Sequence, residues 1–115
     1  MTIKESMENG IAVLILKGDI LSEDDTTKLK DKVHSLVTDK VNNIVMDLGG
    51  INLINSSGLG TLIASLTTMR NAGGDLRLAR ISEKVENLFV ITKLVQVFDT
   101  YETTDRAVAS FDMKK

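Results

Sequence analysis

Apolar residues along this chain fall into two spacings. Ile3, Glu5 and Met7 alternate weakly, and from Ile11 to Leu16 every position is apolar. An unbroken run of that length predicts a strand buried on both faces, whereas the half-polar stretch before it suits a sheet edge. Asn9-Gly10 separates the two. Both positions of such a two-residue turn need positive φ, so the pair predicts a tight antiparallel hairpin.

Beyond Leu16 the pattern alternates between strand-like and helical. Gly18-Asp19-Ile20-Leu21 reads as a turn into Ser22-Glu-Asp-Asp25, a capping-box-like start with acids in the first turn. Leu29, Val33, Leu36 and Val37 then follow helical spacing. Ile44–Leu48 predicts a second buried strand, Gly49-Gly50 an interruption, and Leu59, Leu62, Ile63, Leu66 and Met69 a helix that ends at Ala72-Gly73-Gly74. Leu76 and Leu78 alternate around Arg77 as a third central strand. Ser82 is placed to cap a helix with Val85, Leu88, Phe89 and Ile91, and Val95–Phe98 reads as a short last strand. Thr103 or Thr104 caps a terminal helix carrying Ala107, Val108 and Phe111. Strands alternating with helices require crossover connections. The predicted fold is therefore α/β: a mixed, mostly parallel sheet with an antiparallel N-terminal edge hairpin and helices packed against it.

The 115 residues fit a single domain, 1–115. With 14 Lys and Arg against 16 Asp and Glu there is no positive field for a phosphate backbone, so no nucleic-acid partner is expected. No apolar run approaches the ~20 residues of a membrane span, and the start of the chain lacks a signal-like apolar core, so a cytoplasmic protein without a membrane partner is expected. The absence of Cys and the single His, His34, leave no thiolate zinc site and no His cluster. Neither a metal nor a cofactor is expected.

Four of the eight glycines flank Gly49-Gly50-Ile-Asn-Leu-Ile-Asn-Ser-Ser-Gly58-Leu-Gly60. Ser56 or Ser57 is a candidate N-cap where the strand-like approach turns into the helix. Gly58 and Gly60 each lower helix propensity by roughly 1 kcal/mol relative to Ala. A sequence selected only for a stable helix start has no need of them; together with two small hydroxyls they leave this end low and open to a partner. Free N–H groups and the helix dipole also favour an anion there, so a phosphate on a serine at this end is compatible with the fold.

Ile54-Asn-Ser-Ser-Gly-Leu-Gly60, preceded by Ile44-Val-Met-Asp-Leu48 and followed by Gly73-Gly74-Asp-Leu-Arg-Leu78, resembles the STAS domain, and more narrowly the anti-sigma factor antagonists of bacterial partner switching. The resemblance covers nearly the whole chain, including Leu16-Lys-Gly-Asp19 and the Val85…Phe89…Phe98 tail. It implies a non-enzymatic protein, with no catalytic residues, that binds an anti-sigma factor of histidine-kinase-like ATPase fold and so frees a sigma factor. It further implies phosphorylation of Ser56 by that serine kinase, reversal by a PP2C-type phosphatase, and a docking surface of Gly18, Asp19, Asn55, Ser56, Ser57, Gly58, Leu59 and Gly60. Two positions depart from the family pattern: Asn55 and Leu21 stand where Asp is common. The competing reading is a non-switching STAS scaffold or accessory subunit, in protein assembly or lipid transport, with Ser56 only a helix cap.

Other chemistries find little support. Gly58-Leu-Gly60 opens like a dinucleotide fingerprint, but Ile63 occupies the third glycine position. His34 belongs to no nucleophile elbow, and Glu23, Asp24 and Asp25 read as partners of a helix dipole. Asp47 and Asp99 lie near predicted strand ends, where ligand grooves of α/β sheets are found.

Overall fold

Asn9 and Gly10 both adopt positive φ, 55° and 79°, in the computed structural model, which describes residues 1–112. That turn folds β1 (Thr2–Glu8) back on β2 (Ile11–Ile20) with Glu8 opposite Ile11, the hairpin the Asn-Gly pair predicts. The chain continues through α1 (Glu23–Thr38), β3 (Asn43–Ile54), α2 (Ser56–Asn71), β4 (Asp75–Ala79), α3 (Glu83–Ile91), a 3-10 turn at Leu94–Gln96, β5 (Thr100–Tyr101) and α4 (Thr104–Ser110). The strands lie in sequence order; β1 is antiparallel to β2 and the other neighbouring pairs are parallel.

That order decides where the helices go. Each right-handed crossover steps the same way along the sheet, so α1, α2 and α3 must share one face. Leu29, Val33 and Leu36 of α1, Leu62, Leu66 and Met69 of α2 and Val85 and Phe89 of α3 pack there on Leu14, Leu16, Met46 and Leu78. The opposite face holds a smaller cluster, in which Ala107, Val108 and Phe111 cover Ile11, Val13, Val45 and Ala79. Apolar side chains on both sides of β2 explain its unbroken apolar run.

Four local expectations are corrected. Gly49-Gly50 does not interrupt the strand: β3 runs through it, and the register shifts by one residue between Ile15–Asp47 and Lys17–Gly50 as a bulge is absorbed. Gly18, Asp19 and Ile20 belong to β2 and not to a turn. Val95–Phe98 is not a strand. Lys93 takes a left-handed φ of 64°, the chain coils into the 3-10 turn, and Leu94 and Phe98, four residues apart, turn inward, with Phe98 5.7 Å from Phe89. Ile91, expected on the buried stripe of α3, is the last residue of the helix and is 77% exposed.

Asp47 is also not at a strand end. It is buried within β3, accepting from Gly49 N–H at 2.8 Å and from Arg80 Nη1 at 3.1 Å, and so is engaged within the fold. Asp99 is exposed.

The capping box on α1 forms as the sequence predicts. Ser22 Oγ accepts from Asp25 N–H at 3.1 Å, while Asp25 Oδ2 accepts from Leu21 N–H and Ser22 N–H at 3.1 Å each. These backbone donors, Leu21 first, with the terminal amine at 3.3 Å from Oδ1, hold the Asp25 carboxyl well below the usual carboxylate range. A depressed folded-state pKa contributes stability that is complete above the ordinary value of about 4 and is lost as pH falls below it. Asp25→Asn is expected to lower the urea midpoint at pH 7, with the gap to wild type narrowing as pH falls below about 4. A gap of constant size across that range would show that the carboxylate charge is not what the cap uses.

Candidate functional site

The site is built by a mismatch in strand length. β4 pairs only with Asn43–Asp47 of β3, whereas β3 continues alongside β2 as far as Ile54 opposite Ile20. This extension carries Asn55 to the carboxyl end of the sheet, beside the turn at Leu21 and Ser22 that leads into α1. Asn55 N–H donates to Ile20 O at 3.3 Å. Its side chain works in two directions: Oδ1 accepts from Gly58 N–H at 2.9 Å, and Nδ2 donates to Leu21 O at 2.9 Å. An N–H on one side and a carbonyl on the other fix which way the amide faces.

The N-cap of α2 is therefore Asn55, and neither Ser56 nor Ser57. With extended backbone (φ −103°, ψ −176°) the Asn55 oxygen reaches the N–H three residues on, the geometry a cap requires. Ser56 and Ser57 become the first two helical residues, both exposed. Among the described residues neither hydroxyl makes a hydrogen bond. The first turn of α2 holds no acid, whereas α1 begins with Glu23, Asp24 and Asp25, α3 has Glu83 and Glu86, and α4 has Asp105. The positive end of the α2 dipole faces solvent without a carboxylate in its own first turn.

The other predicted surface residues divide into two groups. Asn55, Ser56, Ser57 and Gly60 are exposed at the tip. Gly58 and Leu59 are buried and shape the tip from beneath, Gly58 against Ile20 and Ile54 and Leu59 in the main core. Gly18 and Asp19 are half-buried in β2, where Asp19 Oδ1 accepts from Leu53 N–H at 3.1 Å and ties the two long strands together. The motif itself gave no sign of two large apolar side chains at this end, Leu21 (41% exposed) and Leu53 (42%). Leu53 had a signal: it follows buried Ile51 at strand spacing, but the second register shift, between Gly18 and Ile20, turns it outward.

His34 is exposed and lies beside Ala64 and Thr68 of α2, about two turns along the helix from Ser56. No group of three or more His, Cys, Asp or Glu positioned to hold a metal ion occurs among the described residues, nor any helix long and apolar enough to cross a membrane.

The fold is a five-stranded sheet in sequence order with an antiparallel edge hairpin, and an exposed serine pair opens its second helix. Residues 4–107 match the STAS domain family, and the chain belongs to it. Within the class it is 23% identical over 103 residues to BtrV of Bordetella bronchiseptica, provisionally named an anti-sigma factor antagonist, across 90% of this chain and 88% of BtrV. Its fold is similar to that of TM1081 of Thermotoga maritima, given the same provisional name (TM-score 0.85, 22% identity, 94% of this chain and 92% of the other). It is also similar to the anti-sigma factor antagonist SpoIIAA in its unphosphorylated form (TM-score 0.74, 16% identity, 97% and 99%). SpoIIAA, a Bacillus cell fate determinant, has been solved in a phosphorylated form too (TM-score 0.75). A sulfate transporter family protein of Wolinella succinogenes shares the fold (TM-score 0.78, 13% identity, 91% and 87%). The mostly parallel sheet with an antiparallel edge hairpin expected from the sequence is that of this fold.

Proposed function

We propose that this protein is an anti-sigma factor antagonist. It is a non-enzymatic cytoplasmic binding module that docks, unphosphorylated, on an anti-sigma factor of histidine-kinase-like ATPase fold and thereby releases a sigma factor. Phosphorylation of Ser56 by that kinase ends the interaction, and a PP2C-type phosphatase restores it. The docking surface comprises the exposed Asn55, Ser56, Ser57 and Gly60, with Gly18, Asp19, Gly58 and Leu59 supporting it.

One observation carries the reading: Ser56 is exposed at the start of α2 and its hydroxyl makes no hydrogen bond among the described residues, because Asn55 performs the cap. The competing scaffold reading gives Ser56 a capping role, and that role is already filled. A phosphate at this position adds about −1.5 to −2 charges next to the positive end of a helix whose first turn has no acid, so the fold tolerates it. A partner surface closed over the same spot would bury that charge unpaired, at a cost of several kcal/mol. The switch thus works by excluding the partner, with the domain itself unchanged.

The test begins with wild-type protein as bait for an ATP-binding partner from its native cytoplasm. The purified pair is then incubated with ATP and the modified residue is mapped by mass spectrometry. Phosphate on Ser56, absent from Ser56→Ala, is the expected result. A captured kinase that modifies neither Ser56 nor Ser57 would refute the switch.

A further inference from the structure

We infer that the free edge of β3 at residues 50–54, together with the apolar groove between it and α3, is a strand-docking site. It takes an extended segment of a protein partner that pairs with this edge, sets aliphatic side chains in the groove and carries an acid beside Lys84. The occupant is assigned to the anti-sigma factor, and that assignment rests on the function proposed above; the edge and the groove stand without it.

A sheet in the order β1 to β5 has two outer edges, and both are blunted. β1 exposes Lys4, Glu5 and Glu8, and β5 is two residues long. Charges and shortness of this kind keep strand edges from pairing with other chains. A third edge arises inside the sheet. β4 stops at Ala79 opposite Asp47 while β3 continues to Ile54, so beyond Asp47 the β4 side of β3 has no strand neighbour. Arg80 covers the first part of it. Its Nη1 donates to Asp47 Oδ2 at 3.1 Å, and its guanidinium lies so close to Gly49 that a Cβ there would be 2.9 Å from Cζ. Over residues 50–54, about 16 Å of strand, no backbone hydrogen bond to residues 80–82 or to α3 occurs among the described residues. Leu53 N–H donates to Asp19 Oδ1 and Asn55 N–H to Ile20 O, both on the β2 side, so the Ile54 peptide groups between them face the open side. Gly50-Ile-Asn-Leu-Ile54 contains neither a charge nor a proline. Unlike the two outer edges, this one carries no guard against pairing.

Beside the edge, Leu53, Ile54, Val85, Leu88 and Ile91 line a groove of about 280 Å³. Ile54, Val85 and Leu88 also pack in the main core, so the fold itself fixes the floor, while Leu53 and Ile91 form an exposed rim. Among the described residues Lys84 is the one charged side chain on its walls. The nearby acids are engaged elsewhere: Asp19 accepts from Leu53 N–H, and Glu86 lines a separate cavity with Arg80 and Tyr101. Unpaired peptide groups and an aliphatic wall are met together by a strand, whose peptide groups and side chains leave in different directions. A helix cannot meet both, because its peptide groups bond internally. The edge runs directly into Asn55 and Ser56, so a segment paired along it belongs to the partner that covers the serine.

Two measurements decide the inference, one of them without the kinase. A phage library of random dodecapeptides is panned on purified wild-type protein, and a selected peptide is titrated into isotope-labelled protein and followed by NMR. The selected peptides are expected to combine aliphatic and acidic residues, to shift residues 50–54 and Ile91, and to slow exchange of Ile54 N–H by about tenfold or more. Leu53→Lys and Ile91→Lys, both on the exposed rim, should weaken that peptide about tenfold at an unchanged melting temperature. No selected peptide, or peptides that leave Ile54 N–H exchange unchanged, overturn the site. Ile54 N–H already protected in the free protein, with a sedimentation mass of two chains, gives the edge to a second copy and overturns the occupant. In the complex with the kinase captured by wild-type bait, the same slowing of Ile54 N–H and competition by the selected peptide are expected. A bound kinase that leaves this N–H unprotected overturns the assignment to the anti-sigma factor. Failure of the function proposed above looks different: wild-type protein captures no kinase, the assigned occupant falls with it, and the peptide titration still decides the site.

Discussion

Replacing Ser56 by Asp is expected to weaken binding to the anti-sigma factor by two decades or more and to leave stability within about 1 kcal/mol of wild type. The two halves of this result have different physical origins. Ser56 is the first residue of α2, its side chain is exposed, and the cap beside it belongs to Asn55, so the substitution removes no hydrogen bond from the fold. A carboxylate there interacts favourably with the helix dipole by about 0.3–1 kcal/mol, which offsets the small propensity change. In a complex the same carboxylate is desolvated against a partner selected for a hydroxyl. An uncompensated charge costs several kcal/mol, and each 1.4 kcal/mol is about tenfold in affinity. Titration calorimetry against the captured kinase, with urea melts of both proteins, checks the two halves independently. Equal affinity for wild type and Ser56→Asp would place the interface elsewhere; lost affinity together with a large drop in the urea midpoint would mean that the serine is structural after all.

Gly58→Ala and Gly60→Ala, two residues apart, are expected to act in opposite directions on stability. A Cβ on Gly58 would lie 2.7 Å from both Ile20 O and Ile54 Cγ1 and 3.0 Å from Ile20 Cγ2. A backbone carbonyl cannot rotate aside, so α2 must lift from β2 and β3. Overpacking of this kind costs typically 1–3 kcal/mol, more than the ~1 kcal/mol of helix propensity gained, and the shift also displaces the Asn55 cap. Gly58→Ala should therefore lose about 1–2 kcal/mol, a fall of roughly 4–8 °C in melting temperature for a domain of this size, and should also lose partner binding. Around Gly60 nothing lies within 4 Å of the added methyl. Gly60→Ala should gain up to about 1 kcal/mol of stability, while partner binding should weaken if the methyl stands on the proposed docking face. Calorimetric melting separates the pair. A stabilised Gly58→Ala would show that the close approach to Ile20 is not rigid, and a Gly60→Ala that binds as well as wild type would take Gly60 out of the interface.

Much of the architecture is legible in particular residues. Asn9-Gly10 announces the hairpin, Ser22 and Asp25 announce the start of α1, and the helical spacing of Leu59, Leu62, Leu66 and Met69 announces α2. These signals are local: positive φ, a cap that reaches three residues ahead, and side chains stacked on one helix face. Three readings failed where a distant contact decided the outcome. Gly49-Gly50 reads as a break in isolation, yet pairing with β2 carries the strand through it as a bulge. Val95–Phe98 alternates like a strand, but Phe89 draws Phe98 inward and the segment coils. Ser56 and Ser57 are as good as Asn55 for capping by residue type, and the choice fell to Asn55 because its second hydrogen bond goes to Leu21, 34 positions away in sequence.

The candidate site follows the same division. By itself the sequence determined where the tip of α2 lies and which small residues keep it open, since hydroxyls and glycines at a strand-to-helix junction act through short-range backbone effects. Tertiary structure alone decided which of three polar residues caps the helix, which hydroxyls are left free, and that Leu21 stands beside them. Those outcomes depend on how far β3 outruns β4 and on the register of β2 against β3, and such long-range pairings are set by the packing of the whole sheet.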